Sequence, residues 1–225
     1  MILKLYQLSN LKEDKFNFFL FYGQNEGQKN DAILQILKSE NNENVYRYDE
    51  DELLNNYVNF VSEISNKSFF EDKKIIIISR VTDKILSLVK DIKKREIDDI
   101  KIIINSKQLD RKSKLRSNFE KEKDLVCIAF YNDENTTLAN IAEKFFAKNK
   151  IPISREMLNL LVERCRGDRI NLRNELSKIE SYMIGKNKIS IDEILRLTNL
   201  AENYSFSELA DSCLSNNRRK TLLII

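Results

Sequence analysis

Leu20-Phe-Tyr-Gly23-Gln-Asn-Glu-Gly-Gln28-Lys29-Asn30 is the stretch that decides the fold. An apolar run, 18–22, ends in a glycine and passes directly into a segment with helical spacing. In that segment Ala32, Ile33, Ile36 and Leu37 share one face. A strand that turns straight into a helix is where a phosphate-binding loop sits, and such a loop reads G-x-x-x-x-G-K-[ST]. Lys29 falls in register with the phosphate lysine, but Gln28 stands where the second glycine belongs and Asn30 where the hydroxyl residue belongs. Both changes have physical consequences. A side chain at position 28 obstructs the closing of backbone N–H groups around phosphate, and an amide is a poor substitute for a hydroxyl on magnesium. Read from the residues alone, Gly23–Asn30 is favoured as an ordinary strand-to-helix turn.

Outward from this turn, further short apolar runs at 45–48, 74–79, 100–104 and 125–131 read as strands. Ile75–Ile78 is apolar at consecutive positions and β-branched throughout, the pattern of a strand covered on both faces of a parallel sheet. Helical spacing fills the gaps between them. Over 51–64, Leu54, Tyr57, Val58, Val61 and Ile64 share a face, and over 82–93 Ile85, Leu86, Val89 and Ile92 do. Strands alternating with helices predict right-handed βαβ units and a doubly wound sheet.

After residue 132 only helical signals remain. Leu138, Ile141, Ala142 and Phe145 mark a helix over 136–148, and Ser154 is the N-cap of one running towards Gly167. Another helix covers 168–184, and Ser190-x-x-Glu193 and Ser205-x-x-Glu208 are capping-box patterns that open two more. The last residues, Thr221-Leu-Leu-Ile-Ile225, are apolar and uncapped. They are read as a truncation that leaves out a further helical domain.

Composition narrows the function classes. The chain of 225 residues is 42% hydrophobic and 32% charged, with four glycines and one proline, so long helices and short connections are expected. Its 38 basic and 35 acidic side chains nearly cancel, so charge alone does not identify a nucleic-acid binder. The absence of histidine excludes Ser-His-Asp and Cys-His mechanisms within the chain. Cys127, Cys165 and Cys213 match no zinc spacing, and Cys127 reads as a buried free thiol. No apolar run reaches membrane-spanning length and the N-terminus lacks a signal-peptide core, so a cytoplasmic protein with no membrane contact is expected. The central strand Ile75–Ile78 is followed by Ser79 and Arg80, where a nucleotide hydrolase has an acidic pair. With both halves of the site degraded, neither catalysis nor a metal or other cofactor is expected.

In its order of motifs the chain resembles the delta subunit of the bacterial DNA polymerase III clamp loader. The resemblance rests on Leu20-Phe-Tyr-Gly23-x-x-Glu26-Gly27, on Ser68-Phe69-Phe70 before the Ile75–Ile78 strand, and on Leu109-Asp-Arg-Lys-Ser-Lys-Leu115. It continues in Gly167-Asp168 with Leu172-Arg-Asn-Glu-Leu176, and in Asn203-Tyr-Ser-Phe206. It implies a P-loop/AAA+-like parallel sheet over 1–135 with a degenerate phosphate loop, a small helical lid domain over 136–200, and the start of a helical collar domain over 201–225. It also implies a non-enzymatic role within the polymerase holoenzyme. There the subunit binds the sliding clamp (beta), opens it or holds it open, assembles with the other loader subunits, and meets primed DNA through the complex. By position Phe69 and Phe70 match the apolar pair that such subunits insert into the clamp. Two large rings in a polar stretch, flanked by Asn66, Lys67, Glu71 and Asp72, are also the composition of an exposed interface anchor.

Two rivals come from the residues themselves. One is an active P-loop ATPase with an atypical loop built on Lys29. The other is a DNA-binding protein using Arg111, Lys112, Lys114 and Arg116, a basic cluster on an expected helix that is diluted by Glu120 and Glu122. A receiver-like domain fits less well, since the strand ends lack an acidic cluster. Arg169 and Arg173 invite comparison with a nucleotide-sensing arginine, but structural ion pairs are the expectation for both.

Overall fold

A strand that is apolar at every position needs cover on both faces. The computed structural model describes residues 1–8, 16–39, 44–65, 74–95, 97, 99–186, 188–198 and 206–224. It divides into two compact units, Met1–Asn132 and Asp133–Ile225.

In the first unit the apolar runs become β2 (Phe18–Gly23), β3 (Val45–Asp49), β4 (Lys74–Val81), β5 (Ile100–Ser106) and β6 (Leu125–Phe130). A two-residue β1 (Ile2–Leu3), absent from the sequence reading, pairs with β6 at the sheet edge. All pairings are parallel, and the order among the described residues is β1-β6-β2-β5-β4-β3. The helices of this unit are α1 (Leu5–Leu8), α2 (Glu26–Ser39), α3 (Glu50–Asn55), α4 (Tyr57–Ser65), α5 (Leu86–Lys94) and α6 (Lys114–Lys121).

The alternation of side chains along each strand sorts the core into two layers. Phe18, Leu20, Ile76, Ile78, Ile102 and Ile104 belong to one, with Leu53, Phe60, Leu88, Val89, Leu115 and Phe119 from helices. Phe19, Phe21, Ile75, Ile77, Ile103 and Ile128 belong to the other, with Ala32, Ile33 and Ile36 of α2. Each isoleucine buried this way contributes about 1.5–3 kcal/mol of transfer free energy, so the isoleucine-rich central strands anchor the unit.

The single helix expected over 51–64 is two. It breaks at Asn56, within an Asn55-Asn56 pair of weak helix formers. The break changes the register of the second half: Phe60, Val61 and Ile64 are buried while Val58 is 76% exposed. The expected helix over 82–93 opens with a 3-10 turn, Asp83–Ile85. Glu50 holds that turn. Its buried carboxylate accepts from Thr82 N, Thr82 Oγ1 and Ile85 N at 2.9, 2.7 and 3.1 Å, so its charge is matched by three donors.

The second unit is helical: α7 (Asn135–Lys148), α8 (Arg155–Arg164), α9 (Arg169–Tyr182), α10 (Ile191–Leu197), α11 (Phe206–Leu214) and α12 (Arg218–Ile224). Ser154 caps α8 by accepting from Met157 N, and Ser190 with Glu193 forms a complete capping box on α10. Asp168 caps α9. Gly167, at φ 79, makes the left-handed turn between α8 and α9. Leu138, Ala142, Phe146, Leu161, Leu172, Leu176, Ile179 and Ile194 form the core. The cap expected at Ser205 lies outside the described residues. Among those described, no helix is long and apolar enough to cross a membrane.

Candidate functional site

The turn after β2 is short. Strand β2 ends at Gly23 and α2 begins at Glu26, leaving Gln24 and Asn25 as the whole connection. Gly23 has φ 130, and a Cβ there would lie 2.0 Å from the carbonyl oxygen of Phe130 on the neighbouring strand. Glycine is thus demanded by the approach of β6 as well as by the backbone conformation. Asn25 closes the helix end from within: its Oδ1 accepts from Gln28 N at 2.9 Å and its Nδ2 donates to Tyr131 O at 2.9 Å. Two amides of the turn are thereby engaged within the protein: Gln28 N in this cap, and Lys29 N on Asn25 O at 3.0 Å.

Lys29 completes the closure. It lies in the first turns of α2 with a side chain 0% exposed. Its ammonium donates to Glu26 Oε1 and to the carbonyl oxygen of Ser106, both at 2.7 Å. Burial drives its pKa down, and the bond to Glu26 works against that. The lysine in register with the phosphate lysine thus ties α2 to the end of β5. A charged donor between a carboxylate and a strand-end carbonyl is a strong clip, and it buries the ammonium among protein partners.

The end of β4 offers no replacement. Arg80 sits in the left-handed region at φ 56, within a register shift between Ile78 and Val81, and its guanidinium pairs with Asp49. Ser106 Oγ donates to Val81 O at 2.6 Å, joining β5 to β4. Among the described residues no group of three or more His, Cys, Asp or Glu is placed to hold a metal ion. The donor set here, with a cation facing inward and an arginine where a magnesium carboxylate would stand, does not fit a nucleoside triphosphate with its metal.

The basic cluster divides in two. Arg111 and Lys112 precede α6 rather than lying on it, and Lys114 is its first residue; all three are exposed. Arg116 points inward: it donates to Glu120 Oε1 at 2.7 Å and to Leu109 O at 3.2 Å, and stacks 4.9 Å from the centre of the Tyr22 ring. Tyr22 has its pKa raised to about 12, chiefly by burial. Asp83 caps α6 from the 3-10 turn, accepting from Ser113 Oγ, Lys114 N and Leu115 N. Burial would raise the pKa of Asp83, but these bonds outweigh it and the net shift is downward.

In the second unit Arg169 makes a two-pronged ion pair with Asp133, at 2.9 Å from Nε and 2.6 Å from Nη2. The side chains are 11% and 2% exposed. Arg169 is thus engaged in a structural pair; Arg173 is exposed on the same helix. Cys127 and Cys165 are buried, and burial pushes both thiols up to about 12. Phe69 and Phe70, the expected clamp-binding pair, lie outside the described residues.

Sequence reasoning placed Lys29 in register but missed its partners. Glu26, one helical turn away, could have been read as a local partner. Ser106 carried no signal, since the contact spans 77 residues.

Comparison with known proteins bears on the fold. No protein-family model matches the sequence, and no curated protein matches it. Among solved structures, the Bacillus subtilis DNA clamp loader delta protein matches over 98% of this chain and 70% of its own, with a TM-score of 0.51 and 14% identity. The fold is AAA+-like. Domain III of the Thermotoga maritima replication initiation protein DnaA covers 86% of this chain and 88% of its own, at TM-score 0.54 and 16% identity. The Thermotoga maritima RuvB Holliday junction branch migration motor covers 95% and 75%, at 0.61 and 14%. At such identities each likeness is one of architecture.

Proposed function

We propose that this chain is a clamp-loader subunit of the delta type, which binds a sliding clamp and opens it or holds it open for loading onto primed DNA. The observation that carries the reading is the closed phosphate turn. Lys29 is bonded inward to Glu26 and Ser106, so the AAA+-like frame is kept while its nucleotide chemistry is given up. A subunit built this way acts by binding partners and takes its ATP-driven control from neighbours in the loader. The likeness to the Bacillus subtilis delta protein, which extends over nearly the whole chain, supports the same reading.

In this proposal Phe69 and Phe70 are the clamp anchor, residues 136–200 are the lid, and residues 201–225 belong to the collar that joins the other loader subunits. The anchor stabilises the open or strained clamp only through its differential affinity for that form. The test is binding of the chain to its cognate clamp by calorimetry, with and without ATP. Nucleotide-independent binding, weakened at least about 30-fold by Phe70→Ala as for a hot-spot aromatic, supports the proposal. Unchanged affinity in that variant overturns the site, and binding that requires ATP returns the ATPase rival.

A further inference from the structure

Two cavities at the C-terminal edge of the sheet share one wall. The first, about 640 Å³, includes Lys84, Lys107 and Lys112 in its lining. The second, about 470 Å³, lies beside the β2 turn and includes Gln24, Arg111 and Tyr131. Gln108, Leu109 and Asp110 line both, so the turn between β5 and α6 forms a ridge with cations on either flank.

Lys84, Lys107, Arg111 and Lys112 are exposed, and among the described residues none of the four side chains has a hydrogen-bond or ion-pair partner. Two carboxylates stand among these cations and are held in place by backbone donors, and a third is paired. Asp83 caps α6, Asp110 Oδ1 accepts from Lys112 N at 2.8 Å, and Asp49 pairs with Arg80. Beyond the ridge stands Tyr131, a ring left 73% exposed at the end of β6. An unpartnered basic track ending on an open aromatic face combines the two features that hold unpaired nucleic acid: cations follow the phosphates, and a base stacks on the ring.

We infer that this edge binds single-stranded nucleic acid, with Lys84, Lys107, Arg111 and Lys112 on the backbone and Tyr131 under a base. The site differs from the 111–116 cluster of the sequence reading. Arg116 drops out because it is bound to Glu120 and Tyr22, and Lys84, Lys107 and Tyr131 join from other parts of the chain. A duplex offers no free base face to Tyr131, and an acidic peptide offers phosphate-like charge without a base. The inference goes beyond clamp binding and does not depend on it.

The experiment is fluorescence anisotropy of the full chain with a labelled oligothymidylate of about 20 nucleotides, long enough for one such groove, titrated between about 50 and 200 mM salt. Four phosphate contacts predict a slope of log affinity against log salt of about −3 for a single strand. The double variant Lys107→Ala/Lys112→Ala makes that slope shallower by about 1.4. Tyr131→Ala weakens binding about tenfold and leaves the slope unchanged. All three positions are exposed, and circular dichroism checks that the variants fold. Absence of binding, equal affinity for a duplex of the same length, equal competition by polyglutamate, or an unaffected Tyr131→Ala each overturns the inference. Loss of clamp binding in a separate assay leaves these readouts untouched.

Discussion

Replacing Lys29 separates a structural lysine from a phosphate lysine, because the two predict different stabilities. A phosphate lysine projects into an open loop, and trimming it removes function at little cost to the fold. Here the side chain is fully buried. Lys29→Ala deletes three methylenes, worth about 0.8 kcal/mol each, and leaves a cavity. Lys29→Met fills most of the same space. The alanine variant is therefore expected to be less stable than the methionine variant by about 3 kcal/mol, in the range for such buried truncations. The methionine variant itself should stay within about 1.5 kcal/mol of the parent. It leaves the Ser106 carbonyl without its charged donor, a cost of about 1–3 kcal/mol, but it also removes the desolvation penalty of a buried ammonium, which is of similar or greater size. Glu26 is half-exposed and is rehydrated. The lowered pKa of Lys29 adds a pH signature. The folded protein sheds this proton at lower pH than the unfolded chain, so stability should rise with pH between the depressed value and the ordinary 10.5. Lys29→Met should lose that alkaline rise. Urea unfolding is the assay, with hydrogen exchange on α2 and β5 to isolate the first unit. At an m-value of about 2 kcal/mol per molar, the two variants should differ in midpoint by about 1.5 M. Coincident midpoints for alanine, methionine and the parent would refute the buried clip.

Three further expectations follow from the same geometry. Gly23→Ala forces a Cβ to within 2.0 Å of Phe130 O at φ 130, and should destabilise the first unit by about 3 kcal/mol or more; a variant with the parental melting profile would show that β6 does not approach so closely. Asp133→Ala strands a nearly buried guanidinium and should cost the second unit about 3–5 kcal/mol, read by exchange of the α9 amides, with a change below about 0.5 kcal/mol counting against the pair. Glu193 has its pKa lowered to about 2, first by the Tyr182 hydroxyl and then by Ser190. Its contribution is complete above the ordinary 4.5 and is lost as pH falls towards 2, so Glu193→Gln should flatten the acid limb of the second unit's unfolding curve, and an unaltered limb would exclude this origin.

The strands of the first unit and the caps at Ser154 and Ser190 were legible because their signals are local. An isoleucine run, or a serine just ahead of an amphipathic run, states its own structure. Helix α4 was legible only in part, since Asn56 breaks the periodicity without a proline or glycine to mark it. Strand β1 was not legible: two residues carry no period, and Ile2–Leu3 become a strand only because the edge of β6 is open to them. The site divides in the same way. The substitutions at Gln28, Asn30 and Arg80 could be read one residue at a time. The inward bond of Lys29, the closure of β6 on Gly23 and the withdrawal of Arg116 depend on partners far along the chain.

Lys29 is the informative residue, because it is buried and bonded within the protein rather than projecting into an open turn. Its ammonium joins the first turns of α2 to Ser106 at the end of β5, and Ser106 in turn bonds Val81 at the end of β4. Three elements that bracket a nucleotide in a working enzyme of this fold are here tied to one another across the C-terminal edge of the sheet. A nucleotide-dependent edge has two states, filled and empty. Under the proposed function, an edge bonded internally in this way would present anchors to partners whose own states change, without a nucleotide switch of its own. Under that proposal, the lysine in register with the phosphate lysine holds this edge together rather than gripping a ligand.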